Sequence, residues 1–496
     1  MIKKILLSIT FIFMVFLISC GNDTKISMDA MEPFYPQNCI TSNDNACVEN
    51  SGSIADEEYN KIVENGFIKA SETQLSSFSL DSSTYAYSNL RRLINNGNEI
   101  TKDAVVIEQM LNYFNYSYEN NTDNSLATIL ELGKCPWNSN NYLASIAVKA
   151  KNYEIKEQAN NFVFLIDVSG SMKYDNKLSL FQQSFKLLMD EIGENDTISI
   201  VTYASGVKTI ADGIKGDRKG ELVEAVMALT AGGSTNGSGG IKGAYELALK
   251  HFIKGGNNRV LIATDGDFNV GLTGDNLIDY IKAKKDNGVY LSIFGFGIGN
   301  TKHNMMESLA TNGNGTAYYI DSLLEAKRVF VEEMGGTMLI VAKDTKIQID
   351  FNPRAVSEYR LIGYENKLLT EEQFNDSNTD AGEIGTGHTT IALYEIVPTK
   401  EFTNQDYIYK SILRYKNPTT DENIEVINSI TNEIIISNDD FIFTSCVAEF
   451  GMMLRESEYK AQANYDNILA RLYGLSLDDD YYKKEFLELV TKISDK

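Results

Sequence analysis

The residues most able to do chemistry stand where an apolar run stops, in the segment NNFVFLIDVSGSMK. Asp167 ends the run, and Ser169 and Ser171 follow at alternate positions with Gly170 between them. This spacing suits a tight turn that leaves a strand, so the three side chains can point at one centre. Carboxylate and hydroxyl oxygens are ligands that Mg²⁺ and Ca²⁺ prefer. The pattern therefore favours a site for a hard divalent cation.

Two further segments carry oxygen donors at comparable places. Asp265 ends an apolar run in ATDGDFN, and Thr235 lies in the Gly-rich TAGGSTNGSGG ahead of a helix. Ligands of open α/β sheets bind beyond the carboxyl ends of the strands, so all these side chains are expected at one sheet edge. Two carboxylates are too few to enclose a divalent cation and leave a coordination position open. The alternative is that Asp and Ser only cap the next helix.

The elements that must position these residues alternate between strand and helix from residue 161 to about 336. Continuous apolar runs such as NFVFLID (161–167) and NRVLIATDG (258–266) predict buried strands, and KLSLFQQSFKLLMDEIG (177–193) predicts an amphipathic helix. Such alternation is typical of a doubly wound, mostly parallel sheet covered on both faces. The expected fold class is therefore α/β, with a Rossmann-like domain.

Segments of a different texture flank this region. EYNKIVENGFIKA (58–70) and STYAYSNLRRLIN (83–95) have apolar residues at helical spacing, whereas YLASIAVKAKNYEI (142–155) alternates as a strand does. Residues 340–440 have the alternating or continuous apolar runs of β-strands, and residues 441–496 have apolar residues at helical spacing. Since strands lie on both sides of the α/β region, we expect it to be inserted into a β-rich domain, with residues 142–155 pairing with the later strands.

These patterns divide the chain into consecutive segments. The predicted segments are a lipoprotein signal peptide (1–19), a flexible tether (20–56), an N-terminal helical and β flanking domain (57–158), the α/β domain (159–337), a β-rich domain (338–440) and a C-terminal helical segment (441–496).

The N-terminal residues predict export. Lys3 and Lys4 precede an apolar run at residues 5–18, which is shorter than the roughly 20 residues of a membrane-spanning helix. The run ends in LISC followed by Gly21, which resembles the bacterial lipobox and implies lipid on Cys20. An ordinary cleaved signal with a chance Cys is the alternative. Several acyl chains on one Cys hold a protein stably, so we expect anchoring to the cell membrane or the outer membrane of a bacterium.

The remaining cysteines and the histidines limit the other chemistry. Cys39 and Cys47 bracket a polar loop and could form a disulfide, which export permits. Cys446 lies in an apolar helical pattern that predicts a buried free thiol. The chain has 3 His, none at helical spacing to another, so neither a zinc site nor a His-based triad is expected.

Charge and motifs exclude further classes. The formal net charge is −23 without any basic cluster, which argues against nucleic-acid binding. The acidic excess suits either a solvated surface or a protein that attracts divalent cations. There is no Walker loop, nucleophile elbow or zinc-protease motif, and no nucleophile with a positioned His, so we do not expect an enzyme.

Taken together, DVSGSM, the Thr of GGSTN and the Asp of ATDGD resemble the metal-ion-dependent adhesion site of the von Willebrand factor type A (VWA) domain. The resemblance implies direct coordination of one Mg²⁺ (or Mn²⁺ or Ca²⁺) by Ser169, Ser171 and Thr235. It implies that Asp167 and Asp265 act largely through water. It also implies that a carboxylate from a protein partner completes the open position.

The flanks resemble those of a bacterial family of exported VWA proteins. The segments that carry the resemblance are FSLDSSTYAYSNLRRLIN, PRAVSEYRLIGYEN, AGEIGTGHTTIALYEIVP and CVAEFGMMLRES. It implies a fold layout and no activity. The sequence thus predicts a non-enzymatic, lipid-anchored envelope protein that uses a metal for adhesion or protein–protein interaction. The alternative is a structural envelope scaffold in which the metal only stabilises the domain.

Overall fold

The computed structural model describes residues 57–153, 159–234, 239–266, 275–297, 302–333, 339–402, 405–431 and 438–496. Thr235, Cys20, Cys39 and Cys47 lie outside the described residues, so the roles predicted for them stay predictions.

The strands of the described part are numbered in chain order. They are β1 (Ile68–Lys69), β2 (Leu75–Ser79), β3 (Leu126–Lys134), β4 (Tyr142–Ala150), β5 (Asn160–Asp167), β6 (Thr197–Tyr203), β7 (Val207–Lys215), β8 (Asn257–Thr264), β9 (Tyr290–Phe296), β10 (Ala317–Ile320), β11 (Ile340–Phe351), β12 (Val356–Ile362), β13 (Leu368–Leu369), β14 (Gly382–Gly385), β15 (Thr389–Pro398), β16 (Tyr409–Lys416) and β17 (Asn423–Ile430).

The helices are numbered in the same way. They are α1 (Tyr85–Asn95), α2 (Ile107–Leu111), α3 (Leu180–Glu191), α4 (Lys219–Met227), α5 (Gly240–Lys250), α6 (Asp275–Lys285), α7 (His303–Asn312), α8 (Leu323–Lys327), α9 (Glu371–Asn375), α10 (Asp439–Leu454), α11 (Tyr465–Leu472) and α12 (Tyr481–Ser494). None of these helices is both long and apolar enough to cross a membrane.

The middle of the chain forms a six-stranded sheet in the order β10-β9-β8-β5-β6-β7. Its pairings are parallel except that of β7, which runs antiparallel to β6. Alternate residues of β5 face opposite sides: Phe164 lies in a core with α3, α4 and α8, and Leu165 in a core with α5, α6 and α7. The predicted doubly wound α/β class is confirmed.

Two antiparallel sheets lie outside this domain and pack on each other through a shared core. One has the order β1-β12-β15-β4-β3, and the other β13-β2-β11-β16-β17 with β14 also on β11. β4 precedes the α/β domain and pairs with β15 behind it, with Tyr142 opposite Ile396 and Lys149 opposite Thr389. β2 pairs with β11 in the same way. The α/β domain is therefore inserted between flanking segments, as the sequence predicts.

The helices at the two ends of the described chain share one core. Tyr87 and Phe114 from the N-terminal side contact Phe486 of α12, and Phe114 also contacts Phe443 of α10. Trp137 and the other face of the five-stranded sheet close this core. The two ends of the described part of the chain thus share one core.

The helix expected at residues 58–70 was wrong. The segment is irregular and ends in the two-residue strand β1, which pairs with β12. Its polar groups bind distant residues: the Ile62 amide donates to Asp103 at 2.9 Å, and the Asn65 side chain donates to the Gly363 carbonyl at 2.9 Å. These tertiary contacts outweigh a weak helical preference.

Candidate functional site

The site begins at the carboxyl end of β5, at the centre of the parallel sheet. Every residue of β5 is buried, and Asp167, its last residue, is 0% exposed. The next residue, Val168, keeps the strand pairing for one more step, because its amide donates to the Tyr203 carbonyl at 3.0 Å. The chain then turns, so that Ser169 and Ser171 follow Asp167 at the sheet edge.

Backbone hydrogen bonds hold this turn against the Gly-rich loop. The Gly232 amide donates to the Val168 carbonyl at 2.8 Å, and the Gly170 amide donates to the Gly233 carbonyl at 3.0 Å. A Cβ on Gly170 would lie 3.1 Å from that carbonyl oxygen, and Gly233 has a φ of +84°. Gly233 therefore uses the left-handed conformation that favours glycine, and Gly170 lies at a close approach to backbone.

The described part of the Gly-rich loop ends at Ser234, whose amide donates to Ser205 at 3.0 Å. Thr235 is the next residue and lies outside the described residues. The chain on its N-terminal side is nevertheless next to the Asp167 turn, as the prediction requires.

Asp167 holds its own turn with one oxygen and leaves the other without an ordinary hydrogen bond. Its Oδ1 accepts a hydrogen bond from the Ser169 amide at 2.8 Å. Its Oδ2 is buried and makes no hydrogen bond of ordinary geometry among the described residues, although the Tyr203 hydroxyl interacts with this carboxyl and opposes the rise of its pKa. Burial, with a smaller contribution from the charge of Asp265, raises the pKa of Asp167 to about 6. A buried carboxylate of this kind is destabilised unless a cation or a donor reaches it.

The two serines lie together beside this carboxylate. Ser169 Oγ and Ser171 Oγ are 2.9 Å apart, which is hydrogen-bond distance. Ser169 is fully buried, whereas Ser171 is partly exposed and lies on the solvent side. The structure thus brings two of the three predicted hydroxyl ligands to one point.

Asp265 follows the end of β8, the neighbour of β5, and is 2% exposed. Its Oδ2 accepts a hydrogen bond from Lys177 Nζ at 2.9 Å. No motif in the sequence marks Lys177 as part of this site. The only local signal was a charged residue at the start of a helix whose neighbours, Leu178 and Leu180, are apolar.

The residues present fit a divalent cation at this edge. Asp167, Ser169, Ser171 and Asp265 all offer oxygen, the donor type that Mg²⁺ and Ca²⁺ require. The buried Asp167 Oδ2 is the oxygen that such a cation would satisfy, directly or through water. Ser169 and Ser171 would hold the cation through their hydroxyls.

A second acidic cluster lies outside this site. Oxygens of Asp344, Asp380 and Glu383 lie within 4.8 Å of one another. Asp344 is paired with Lys416 at 2.7 Å, and Asp380 with Lys285 at 2.9 Å. These lysines balance two of the three carboxylates, so the cluster does not require a metal for charge neutrality.

The predicted thiol at Cys446 is confirmed. Cys446 is 0% exposed and free, and so is Cys135 at 2% exposure. Burial raises the pKa of Cys446 to about 12, which makes it a poor nucleophile at neutral pH.

Comparison with known proteins identifies the class of the central domain. Residues 161–331 match the von Willebrand factor type A domain, and residues 53–145 match a family described as von Willebrand factor. Residues 336–495 match the family described as the C-terminal part of uncharacterized protein YfbK. The fold and these matches define a bacterial VWA-domain protein with flanking domains.

Most of the chain matches one curated protein. It is 38% identical over 460 residues to "Uncharacterized protein YfbK" of Escherichia coli (strain K12), which covers 87% of this chain and 80% of that protein. The chain belongs to the YfbK family.

Solved structures overlap only in part. The von Willebrand factor type A protein from Catenulispora acidiphila is 15% identical, covers 72% of this chain and 89% of its own, and gives a TM-score of 0.40. The ArnB paralog VWA2 from Sulfolobus acidocaldarius is 16% identical, covers 75% and 98%, and gives a TM-score of 0.34. These overlaps are too low to add to the family assignment.

Proposed function

We propose that the VWA domain of this chain holds one divalent cation, with Mg²⁺ as the first candidate. The bound cation would in turn bind a carboxylate on a protein partner. VWA domains mediate protein–protein interactions and often bind a divalent metal. The observation that carries the proposal is the buried Oδ2 of Asp167, which makes no hydrogen bond of ordinary geometry, beside the paired hydroxyls of Ser169 and Ser171.

The charges of the site favour an anionic ligand. When both carboxyls are ionised, Asp167 and Asp265 bring two negative charges and Lys177 brings one positive charge. A divalent cation would turn this net negative charge into a net positive one. Since a charge held in a poorly solvated site is unfavourable unless it is paired, a carboxylate of the partner would restore neutrality.

The proposed role is binding and not catalysis. The cation would supply a coordination position and positive charge. The three histidines lie elsewhere: His251 contacts Asp212, His303 packs against Tyr85, and His388 precedes β15. No histidine therefore lies beside Asp167 in the described part of the chain to act as a general base.

The proposed location is the cell membrane or the outer membrane of a bacterium, after export and with lipid on Cys20. The support is the sequence alone: the short apolar run, LISC and Gly21. The residues that follow, up to 56, would act as a tether between the lipid and the folded body.

Calorimetric titration of Mg²⁺ into the purified full-length chain in detergent tests the metal step. The Asp167→Ala variant is the test, and Asp190→Ala, an exposed Asp on α3, is the matched control. We expect Mg²⁺ binding in the wild type and the control and its loss in Asp167→Ala. Absence of Mg²⁺ binding in the wild type would overturn the proposal.

Capture from detergent-solubilised envelope, with Mg²⁺ or with EDTA, tests the interaction step on the same three proteins. We expect a protein that is captured only with Mg²⁺ and not by Asp167→Ala. Mg²⁺ binding together with equal capture in all lanes would instead support the scaffold alternative, in which the metal only stabilises the domain.

A further inference from the structure

Lys177 places a buried positive charge inside the candidate metal site. The residue is 3% exposed, although lysine is almost never fully buried unless it is paired. Its Nζ lies 2.9 Å from Asp265 Oδ2, and both side chains are almost completely shielded from solvent, at 4% and 0% exposure. A buried pair of this kind is costly to break, because the remaining partner becomes an uncompensated charge.

The lysine side chain is held in place by the end of a third strand. Gly297 follows β9 and has a φ of +87°, and a Cβ on it would lie 2.3 Å from Lys177 Cε and 2.4 Å from Cγ. The aliphatic part of the Lys177 side chain therefore packs directly against the backbone of Gly297. The Tyr319 hydroxyl donates to the Gly297 carbonyl and fixes that backbone in turn. The position of the ammonium is built into the fold.

We propose that Lys177 is a built-in counter-ion that lowers the affinity of the VWA site for its divalent cation. It neutralises Asp265 when the cation is absent and repels the cation when it is present. The inference rests on the proposed function, because it concerns the affinity of that same site. A lower affinity means that the cation leaves and rebinds readily. Occupancy of the site by the metal can then depend on whether the partner is bound.

The opposing interpretation is that Lys177 serves only packing and stability. The two interpretations differ in what happens when the charge is removed and the shape is kept. If Lys177 is a counter-ion, its removal takes one positive charge away from Asp265 and from the cation position, and Mg²⁺ binds more tightly because that repulsion is gone. If Lys177 only packs, its removal weakens the fold equally with and without Mg²⁺.

Lys177→Met and Lys177→Gln in the full-length chain separate these interpretations. Met keeps the length of the stem, and Gln keeps a hydrogen-bond donor. Lys173→Met is the matched control, because Lys173 is an exposed lysine four residues before Lys177. Mg²⁺ affinity is measured by calorimetry, and the melting temperature is measured in EDTA and in saturating Mg²⁺.

We expect Mg²⁺ to bind about tenfold more tightly to both Lys177 variants, the change that corresponds to about 1.4 kcal/mol, and unchanged affinity in Lys173→Met. The rise in melting temperature on adding Mg²⁺ should be larger in the Lys177 variants than in the wild type. A variant that folds only with Mg²⁺ also supports the proposal, since the cation then replaces the ammonium.

Two outcomes would overturn it. One is equal or weaker Mg²⁺ binding in both Lys177 variants while the wild type binds. The other is failure of both variants to fold even in saturating Mg²⁺, which would assign Lys177 to packing. Absence of Mg²⁺ binding by the wild type would overturn the proposed function itself, so the two failures are distinguishable.

Discussion

Arg91 on α1 forms a two-point ion pair with Asp321, the residue that follows β10 of the VWA sheet. Arg91 Nε lies 2.8 Å from Oδ2 and Nη2 lies 2.5 Å from Oδ1, and both side chains are 1% exposed. The same guanidinium contacts Glu325 on α8 at 2.8 Å and Glu485 on α12 at 3.0 Å. One arginine therefore joins the N-terminal flank, the VWA domain and the C-terminal helices.

Arg91→Ala should destabilise the chain by about 3–5 kcal/mol, because it leaves buried carboxylates without their counter-charge. Arg218→Ala is the matched control: Arg218 is exposed and pairs with Glu221, and solvent screens such surface pairs, so the stability should change little. The measurement is urea unfolding followed by the fluorescence of Trp137, the single Trp of the chain, which lies in the core shared by the two ends. Equal unfolding midpoints for the two variants would contradict a coupling role for Arg91.

Asp167→Asn should remove Mg²⁺ binding and yet stabilise the metal-free chain. Burial raises the pKa of Asp167 to about 6 from a usual 3.8, so the ionised form is disfavoured in the fold by about 3 kcal/mol at most. Asn keeps the shape and removes the charge. The melting temperature in EDTA at pH 7.5 should therefore exceed that of the wild type.

The sign of the pH dependence gives a second check on Asp167→Asn. The destabilisation by the ionised carboxyl is complete above about pH 6 and disappears as the pH falls toward 4, because protonation removes the same charge. The difference in melting temperature between the variant and the wild type should therefore become smaller as the pH is lowered over that range. A difference that stays constant with pH would mean that the charge of Asp167 is not its cause.

The α/β domain was predictable because its signal is local. Strands such as β5 and β8 are buried on both faces, so each reads as a continuous apolar run, and helices with one apolar face separate them. Asp167, Ser169, Ser171 and Asp265 could be found because they stand directly after such runs. The pairing of β4 with β15 was predictable because strands stood on both sides of the insertion.

Other features depend on residues far apart in the sequence. β2 reads LSSFS, which has little strand character, and it forms because it lies between β11 and β13. Lys177 and Arg91 look like ordinary surface charges in the sequence. Their burial depends on carboxylates that lie 88 and 230 positions away, at Asp265 and Asp321. These contacts could not be predicted because the partners are far apart in the chain, and nothing about the residue types themselves is unusual.

Cys20→Ser should release the chain from the membrane. If Cys20 carries lipid, the wild type partitions into the detergent phase on warming in a phase-separating detergent, and the variant stays in the aqueous phase. Cys446→Ser is the matched control, since Cys446 is buried within α10 and is free. Detergent-phase partitioning of the Cys20→Ser variant would refute the proposed anchor.

His303→Phe should reduce the loss of stability at mildly acidic pH. His303 begins α7, is 3% exposed and packs against Tyr85 with ring centroids 4.2 Å apart. Burial lowers the pKa of His303, although Glu307 and Asp81 oppose the shift; Lys367 adds to it.

The fold thus requires the neutral imidazole of His303. Because its pKa in the folded state lies below the unfolded value of about 6.5, its contribution to stability is complete above that pH and is lost as the pH falls further. Phe keeps the ring against Tyr85 and removes the titrating nitrogens. Urea midpoints at pH 7.5 and 5.5 should therefore differ less in His303→Phe than in the wild type. An equal or larger difference in the variant would show that protonation of His303 does not limit stability in acid.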